Sequence, residues 1–490
     1  MRKAPLILIL LLVLGCAKYE DHIILDDNPG PEEELYKPGQ MVVKVTPGLA
    51  ASLEANTGDG GKVRIADVAE LQEIAAKIGI DTFERLFAPA GVFESRSRSA
   101  GMHLWYQMSF DESFPMSEAK ELFEAHPGIT VVECDPLKRL YEEPEYVSPS
   151  GYALADAPFD DPLLYRQWHY RNDGSRPQSV SGCDINVFPV WKQGLCGHDD
   201  VIVCVVDGGV DYTHEDLADN IWFNPEVPGS CGYNFCAGSY EVSPDDHATH
   251  VAGTIAAINN NGLGVCGIAG GDAARDIPGV KIMSCQIFTG NVSVGSPAAA
   301  IKWGVDHGAV ICQNSWGYPE LDETPESIKA AVDYFVKYAG LDADGVQTGP
   351  MAGGLVVFAA GNERRMASSS TYESILNVTS IGSDFAKAGY SNWGSFADLA
   401  APGGDKPNRV LSTLPGNRYG WMAGTSMACP HVSGVAALVV SECGGPGFTS
   451  AELRRRLESS ARDISAYNPD YHLGNGLVDA AGAVLYYQAP

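Results

Sequence analysis

The chain has 490 residues, which is too long for one ordinary domain and suggests two or three. Its 62 acidic and 33 basic residues give a formal net charge of −29, which argues against nucleic acid as a partner because the phosphates would be repelled. The hydrophobic fraction of 45% is ordinary for a globular protein with a sizeable core.

Residues 1–16 have the pattern of an export signal. Arg2 and Lys3 precede an apolar run over 6–14 that is too short to span a bilayer. The residues that end at Cys16 resemble a bacterial lipobox, which implies acylation of Cys16 and membrane contact through that lipid only. Plain secretion with a chance cysteine is the alternative. Residues 18–21 resemble an acidic surface-export tag, so we expect an exported lipoprotein on the outer membrane or cell surface.

A polar tether and a small α/β unit are predicted next. Residues 17–35 are rich in Asp, Glu and Pro, as a tether would be. The unit over 36–140 has strands predicted over 41–45, 104–110 and 129–133, and helices over 67–78 and 117–125, the second capped by Ser117. Arg96 and Arg98 are predicted in a surface loop between two strand–helix–strand halves of this α/β sandwich. Residues 141–160 are rich in Pro and acids, and they predict a linker with a processing site.

From 161 to 490 the pattern changes to apolar strands that alternate with helices. Strands are predicted over 201–206, 280–287, 309–313 and 355–360, and helices over 249–258, 296–307, 325–338 and 451–461. Continuous apolar runs are typical of strands buried on both faces. The alternation therefore predicts a doubly wound α/β domain with a parallel sheet.

The cysteines leave several pairings open. Two pairs are close enough in sequence to close small loops, Cys183 with Cys196 and Cys231 with Cys236. Buried thiols are expected where cysteines lie in apolar runs, at Cys204, Cys285 and Cys312. No cysteine–histidine cluster in the sequence suggests zinc.

Three segments carry residues suited to nucleophilic catalysis. Asp207 directly follows an apolar strand, His247 starts a predicted helix and Ser426 precedes another. Each alone has an ordinary interpretation as a helix cap or structural residue. A serine hydroxyl, however, needs a base to take its proton, and a carboxylate can fix the tautomer of that base.

Together, residues 205–211, 246–254 and 424–434 resemble the signature blocks of the subtilisin-like (subtilase) family, in the chain order Asp, His, Ser. The resemblance covers about 161–485 and implies a secreted serine endopeptidase with Asp207, His247 and Ser426 as its triad. The segment 357–363 resembles the oxyanion-hole motif of the family, which implies that Asn362 donates its side-chain amide to the oxyanion.

The same resemblance implies a site for protein or peptide substrates. Residues 314–317 resemble an edge strand that pairs with the substrate backbone, so Ser315, Trp316 and Gly317 are expected to bind substrate. Ala359 and Gly361 would form the opposite wall of the primary pocket. Trp316 as a core aromatic is the alternative.

The sequence departs from the family pattern at two positions, and a third position raises the question of a bound calcium ion. Gly208 stands where the family often has a hydroxyl, and Ala248 where it usually has Gly. The chemistry itself needs no cofactor. Asp216 occupies a position that often binds calcium in the family, and the loop 259–262 offers oxygen ligands, so a structural calcium is possible there. A turn with ordinary capping is the alternative.

The unit over 36–140 resembles subtilase pro-regions, which implies an intramolecular inhibitor removed by autocleavage between about Tyr141 and Asp160. A monomer is the default expectation. Two other functions compete with the endopeptidase. A binding protein that uses the same fold without cleavage is disfavoured because all four active-site residues are present. Another serine hydrolase, such as an esterase, is disfavoured because no Gly-x-Ser-x-Gly surrounds Ser426.

Overall fold

A computed structural model describes residues 36–487, apart from 59, 137–143, 149–155, 291, 294, 319–322 and 367–371. The predictions for the signal over 1–16, including Cys16, and for the tether over 17–35 therefore lie outside the described residues. Parts of the predicted linker over 141–160 also do so.

Residues 36–136 form an N-terminal unit with one antiparallel sheet. Its elements are β1 (Tyr36–Val45), α1 (Pro47–Ala55), α2 (Gln72–Ile78), β2 (Ile80–Arg85), α3 (Glu94–Ser99), β3 (Trp105–Phe110), α4 (Met116–Glu124) and β4 (Ile129–Pro136). The strands lie in the order β2-β3-β1-β4, and every neighbouring pair is antiparallel. This order, with α1 and α4 as the crossover helices, is the predicted ferredoxin-like arrangement. Alternate side chains of β1, such as Met41, Val43 and Val45, form the core with Phe83 and Phe123.

Three local predictions in this unit were wrong. The helix predicted from 67 begins only at Gln72, because residues 65–67 form a separate 3₁₀ turn. Ser117 does not cap α4, which begins at Met116 after Pro115 and has no side-chain cap. The predicted surface loop is the helix α3, and its Arg96 is buried rather than exposed.

The predicted linker contains one ordered strand, β5 (Glu145–Val147). It pairs antiparallel with β18 (Arg418–Met422), where Val147 lies opposite Tyr419 and Glu145 opposite Trp421. The sequence pattern missed this strand because an added edge strand of three residues is held by its partner rather than by its own periodicity.

Residues 156–487 form a C-terminal unit. In chain order its elements are α5 (Phe188–Trp191), β6 (Ile202–Asp207), β7 (Gly232–Asn234), α6 (Asp246–Ala256), β8 (Gly271–Asp272), β9 (Ile277–Pro278), β10 (Lys281–Gln286), β11 (Phe288–Thr289), β12 (Val292–Ser293), α7 (Pro297–Asp306), β13 (Ile311–Asn314), α8 (Glu326–Tyr338), β14 (Leu355–Ala359), β15 (Ile375–Ile381), β16 (Leu399–Pro402), β17 (Val410–Leu414), then β18, α9 (Thr425–Cys443), α10 (Ser450–Ser459) and α11 (Ala480–Val484).

The main sheet has seven parallel strands in the order β16-β15-β14-β13-β6-β10-β7. From β6 the chain builds one side of the sheet through β7 and β10, then the other side through β13 to β16. The strand order therefore reverses between β6 and β13, and ligands of such sheets bind beyond the carboxyl ends of the strands at this point. Helices α6 and α9 pack together, as do α7 and α8, and both pairs contact strands of the sheet. The predicted doubly wound fold is confirmed.

Helix α9 is the central core helix. It contacts β13, β14, β15 and β16. By length and composition alone it is the one helix among the described residues that is apolar enough to cross a membrane, but 83% of its apolar window is buried inside the protein. Its apolar character therefore reflects its place in the core.

The two units share a continuous core. Leu86, Phe87, Met102 and Trp105 of the N-terminal unit belong to the same buried cluster as the main sheet and its helices. Glu133 on β4 accepts the backbone N–H of Ser327 at 3.2 Å, in the first turn of α8. A carboxylate at this end of a helix is favoured by the unsatisfied N–H groups there.

No disulfide joins any of the eleven described cysteines. Neither of the two candidate disulfide loops, Cys183 with Cys196 and Cys231 with Cys236, therefore forms. The expected buried thiols are confirmed on three adjacent strands, with Cys204 on β6, Cys285 on β10 and Cys312 on β13. Burial raises the pKa of the Cys204 and Cys312 thiols well above the ordinary value, and that of Cys183 and Cys231 to about 12.

Candidate active site

Asp207 and His247 form a buried pair at the carboxyl edge of the sheet. Asp207 ends β6 and is fully buried, while the side chain of His247 is 5% exposed. Nδ1 of His247 lies 2.9 Å from Oδ1 and 3.1 Å from Oδ2 of Asp207. A carboxylate can only accept, so Nδ1 carries the proton. Nε2 is therefore left as an acceptor, and it is buried without a hydrogen-bond partner.

Asp245 fixes the start of the helix that carries His247. Its Oδ1 accepts the backbone N–H groups of His247 at 3.0 Å and Ala248 at 3.2 Å, so it is the N-cap of α6. The helix thus begins at Asp246, three residues before the predicted start, and places His247 in its first turn. An Asp directly before a helix is a common cap, which was the sequence signal for this missed residue.

The electrostatics of this pair set the protonation of the imidazole. Burial lowers the pKa of His247, but the charge of Asp207 and its hydrogen bond outweigh burial, and the net result is a raised pKa. Burial also raises the pKa of Asp245, with a further contribution from the charge of Asp207. The site therefore favours the imidazolium form of His247 more than water does.

Ser426 is attached to the sheet by two hydrogen bonds to Ser315. Pro430 lies four residues after Ser426 in α9 and has no N–H, so the carbonyl of Ser426 lacks its usual helical partner. The Ser315 hydroxyl donates to that carbonyl at 2.7 Å. In return, the Ser426 hydroxyl donates to the carbonyl of Ser315 at 3.0 Å. Ser315 directly follows β13, so the sheet sets the position of Ser426.

Asn362 lies beside the first turn of α9. Its Oδ1 accepts both the backbone N–H of Thr425 at 2.9 Å and the Thr425 hydroxyl at 2.8 Å. Because a backbone N–H can only donate, the amide oxygen must face Thr425 and Nδ2 must point the other way. The N–H groups of Nδ2 thus point away from Thr425, and Nδ2 lies 3.5 Å from where a Cβ of Gly424 would stand.

These residues meet because their strands are neighbours. In the sheet register Asn314 lies beside Val206 on one side and Phe358 on the other. The segments that leave β6, β13 and β14 therefore carry Asp207, Ser315 and Asn362 to one edge. His247 and Ser426 reach the same edge through their contacts with Asp207 and Ser315.

The predicted substrate-binding residues of the segment 315–317 are all buried. Ser315 and Trp316 are buried, and Trp316 packs against Phe358 with ring centroids 5.0 Å apart, so its alternative interpretation as a core aromatic is correct. Residue 314 ends the central strand β13, so the prediction of a sheet edge at 314–317 was wrong for this residue. Gly317 follows in the same buried segment.

Only glycine fits at position 361. Its φ is +100°, and a Cβ there would lie 2.5 Å from Nδ2 of Asn392 and from Oε2 of Glu363. Its N–H donates to the Thr425 hydroxyl at 3.2 Å. Ala359 ends β14 and is 4% exposed. The chain from Ala359 to Asn362 is thus closely fixed against the start of α9.

The two departures from the family pattern both lie beside Asp245. A Cβ at Gly208 would lie 2.5 Å from Oδ1 of Asp245, so the cap of α6 excludes a side chain at 208. The N–H of Gly208 donates to Oδ1 of Asp207 at 2.7 Å and so supports that carboxylate. Ala248 is buried in the same first turn, where its N–H is capped by Asp245.

The surroundings of Asp216 do not fit a calcium site. Its Oδ1 accepts from Nδ2 of Asn261 at 2.8 Å and its Oδ2 from the N–H of Val265 at 3.0 Å. Calcium needs six to eight oxygen ligands, whereas Asn261 turns its amide nitrogen toward the carboxylate. Among the residues that the structure describes, no group of three His, Cys, Asp or Glu side chains could hold a metal. The alternative interpretation, a hydrogen-bonded turn, describes this loop.

We predict that Asp207→Asn lowers the pKa of His247 below its ordinary value of about 6.5, because burial would then act with little opposition. The full chain labelled at histidine, titrated by NMR, measures this pKa. Asp246→Asn is the matched control, since Asp246 lies beside His247 but faces Arg418 at 3.6 Å. An unchanged pKa in the Asp207 variant would contradict the assigned cause.

Comparison with known proteins gives the family. Residues 198–476 match the model of the subtilase family. The extracellular basic protease of Dichelobacter nodosus is 31% identical over 76% of this chain and 62% of its own length. Subtilisin of Bacillus pumilus is 33% identical over 63% of this chain and 98% of its own length. The chain spans about three fifths of the length of the first curated relatives that it matches.

A solved structure extends the fold comparison to the N-terminal unit. Fervidolysin from Fervidobacterium pennivorans, a keratinolytic enzyme related to subtilisin, matches with a TM-score of 0.62 and 24% identity, covering 94% of this chain and 62% of fervidolysin. At this identity the match bears on the fold alone. The family model, by contrast, covers more than half of the sequence and includes Asp207, His247 and Ser426. The chain therefore belongs to the subtilase family.

Proposed function

We propose that this protein is a serine endopeptidase that hydrolyses peptide bonds through an acyl-enzyme. The proposal rests on the buried Asp207–His247 pair. Nε2 of His247 is free to accept a proton at the edge of the sheet where Ser426 lies. Ser426 attacks the peptide carbonyl, and His247 takes its proton and then gives it to the departing amine. Asp207 holds the tautomer and stabilises the imidazolium, in line with the raised pKa of His247.

The hydroxyl of Ser426 must change partner for this reaction. It donates to the carbonyl of Ser315 in this structure, so rotation about χ1 is needed before it can donate to His247. Such bonds often form only when substrate binds. Because the backbone of Ser426 is held by Ser315, this rotation moves the hydroxyl without moving the helix.

Asn362 would stabilise the oxyanion of the tetrahedral intermediate. Its oxygen is occupied by Thr425, so its N–H groups remain for the substrate oxygen, together with the backbone N–H of Ser426. The substrate is an extended peptide or protein chain whose backbone pairs with 315–317. Ala359 and Gly361 form the wall of its primary pocket.

The N-terminal unit would be an inhibitory pro-region, removed by autocleavage between about Tyr141 and Asp160. Its support is the shared core with the C-terminal unit and the position of Glu133 at the start of α8. After cleavage we propose a monomer. The chemistry uses only side chains of this chain, and no step requires a metal at Asp216.

Export with lipid attachment at Cys16 completes the proposal. The support is the charged, apolar and cysteine pattern of residues 1–16. The similarity to the extracellular basic protease of Dichelobacter nodosus agrees with export. The lipid would hold the enzyme on the outer membrane or cell surface.

Ser426→Ala should lower the turnover of casein by about 10⁶-fold and leave the chain uncleaved, because the nucleophile is lost. Gel electrophoresis follows the hydrolysis of casein and the self-cleavage of the full chain. Labelling by a fluorophosphonate measures the reactivity of the serine. Ser441→Ala is the matched control on the same helix, where the hydroxyl donates to the carbonyl of Ala437 and accepts the backbone N–H of His198. A wild-type chain that neither cleaves casein nor takes the label would instead support a binding protein.

Asn362→Asp should reduce kcat by at least about 100-fold with little change in stability. Aspartate keeps an oxygen for Thr425 but replaces the N–H groups that would face the oxyanion. The measurement compares kcat and the unfolding midpoint with those of the wild type. Unchanged kcat in a stable variant would remove Asn362 from the oxyanion site.

Cys16→Ser should transfer the protein from the membrane pellet to the soluble fraction, because the acylated side chain is lost. Fractionation of a bacterial host that processes lipoproteins, with mass spectrometry of the mature N-terminus, measures the change. Cys134→Ser is the matched control, since Cys134 lies on β4. A membrane-bound Cys16→Ser protein would argue against lipid anchoring.

A further inference from the structure

Arg96 crosses from the N-terminal unit into a pocket of the C-terminal unit. Its side chain is 6% exposed, although it stands on the short helix α3 among polar residues. The pocket lies between α7 and α8 and the chain that follows α8. The guanidinium is held there by contacts to a hydroxyl, a carboxylate and two backbone carbonyls.

Each nitrogen of the guanidinium has a partner in the pocket. Nε donates to the Tyr334 hydroxyl at 3.0 Å, Nη1 to the carbonyl of Leu341 at 2.8 Å and Nη2 to Oδ1 of Asp306 at 3.2 Å. Nη1 also lies 3.3 Å from the carbonyl of Asp342. The ring of Phe93, from the same unit as Arg96, covers the guanidinium at 3.7 Å. A planar fork of five donors matches this set, whereas the ammonium of lysine does not.

Without Arg96, the charge of Asp306 in the pocket would still be balanced, but the acceptors of the guanidinium would lose a hydrogen bond. Lys302 donates to Oδ2 of Asp306 at 2.5 Å, so that carboxylate keeps a cation when the N-terminal unit departs. The Tyr334 hydroxyl donates to Oδ1 of Asp306 at 3.0 Å, which orients its lone pairs toward Nε of Arg96. Departure of Arg96 would therefore leave no uncompensated carboxylate charge at Asp306.

A neighbouring arginine shows that the contact is selective. Arg98 stands two residues along α3, yet it turns back to its own unit, to Glu54 at 2.7 Å and Glu94 at 2.9 Å. Its side chain is 42% exposed. The helix thus offers two arginines, of which one is buried across the interface and the other serves as an internal reference.

We propose that the pocket formed by Asp306, Tyr334 and the Leu341 carbonyl is a guanidinium-binding site that recognises Arg96 and holds the cleaved N-terminal unit on the enzyme as a non-covalent inhibitor. The proposal rests on the proposed function. Arg96 acts by positioning the inhibitor and takes no part in the chemistry. A buried charged contact of this kind mainly slows dissociation.

The test compares full-length wild type, Arg96→Ala and Arg98→Ala after self-cleavage. Gel filtration measures how much cleaved N-terminal unit remains bound on dilution, and peptide hydrolysis measures the free enzyme. We expect Arg96→Ala to raise the dissociation constant at least about 30-fold and to release activity early. Arg98→Ala should stay within about threefold of wild type. Equal retention in all three chains overturns the proposal.

Two further variants separate recognition from misfolding. Tyr334→Phe removes the acceptor of Nε and should weaken retention in the wild-type background but add nothing to Arg96→Ala. Arg96→Lys keeps the charge without the fork and should release the unit nearly as fast as Arg96→Ala. Additive effects of Arg96→Ala and Tyr334→Phe, or full retention by Arg96→Lys, overturn the assignment of the pocket.

A last experiment does not require peptidase activity. In a Ser426→Ala background the chain stays whole, and hydrogen exchange reports the docking of α3 on α7 and α8. Arg96→Ala should speed exchange in these helices, while Arg98→Ala should affect only α3 and α1 of the N-terminal unit. If exchange in α7 and α8 is unchanged, the inference fails whether or not the wild-type chain is an active peptidase. If the wild type has no peptidase activity but Arg96→Ala still speeds exchange, the proposed function is refuted. The assignment of the pocket as the binding site of Arg96 then stands.

Discussion

The hydrogen bond from Ser315 to the carbonyl of Ser426 connects the sheet to the helix that bears the candidate nucleophile. It exists because Pro430 removes the partner which that carbonyl would have in a regular helix. The sheet supplies the replacement from the residue that follows β13. Since β13 lies between β6 and β14, this one bond places Ser426 in register with Asp207 and Asn362.

The opposite side of the site depends on a second helix start. Asp245 caps α6 and orients the first turn in which His247 stands. The same carboxylate occupies the space next to Gly208, so the cap and the missing side chain at 208 belong together. A substitution at Asp245 or at Gly208 should therefore alter the geometry of the Asp207–His247 pair. The geometry of the site is set by two helix N-termini held against one sheet edge.

The sequence was most informative where local pattern and burial coincide. Strands such as β6 and β14 are apolar on both faces, so their existence could be predicted, and the family motifs gave Asp207, His247 and Ser426 directly. Helix starts were less accurate, because side chains outside the apolar periodicity decide them, as Asp245 does for α6. Contacts between distant segments could not be predicted. Arg96 is charged and next to serines, so it was expected at the surface, and β5 has no pattern of its own.

The buried thiols described in the core have a consequence for the folded chain. A thiolate is the reactive form of cysteine, and burial at Cys204, Cys312 and Cys429 disfavours it. None of the described cysteines contributes a covalent cross-link. Burial therefore keeps these three thiols unreactive once the core has assembled, so that exposure to an oxidising compartment after folding leaves them unchanged.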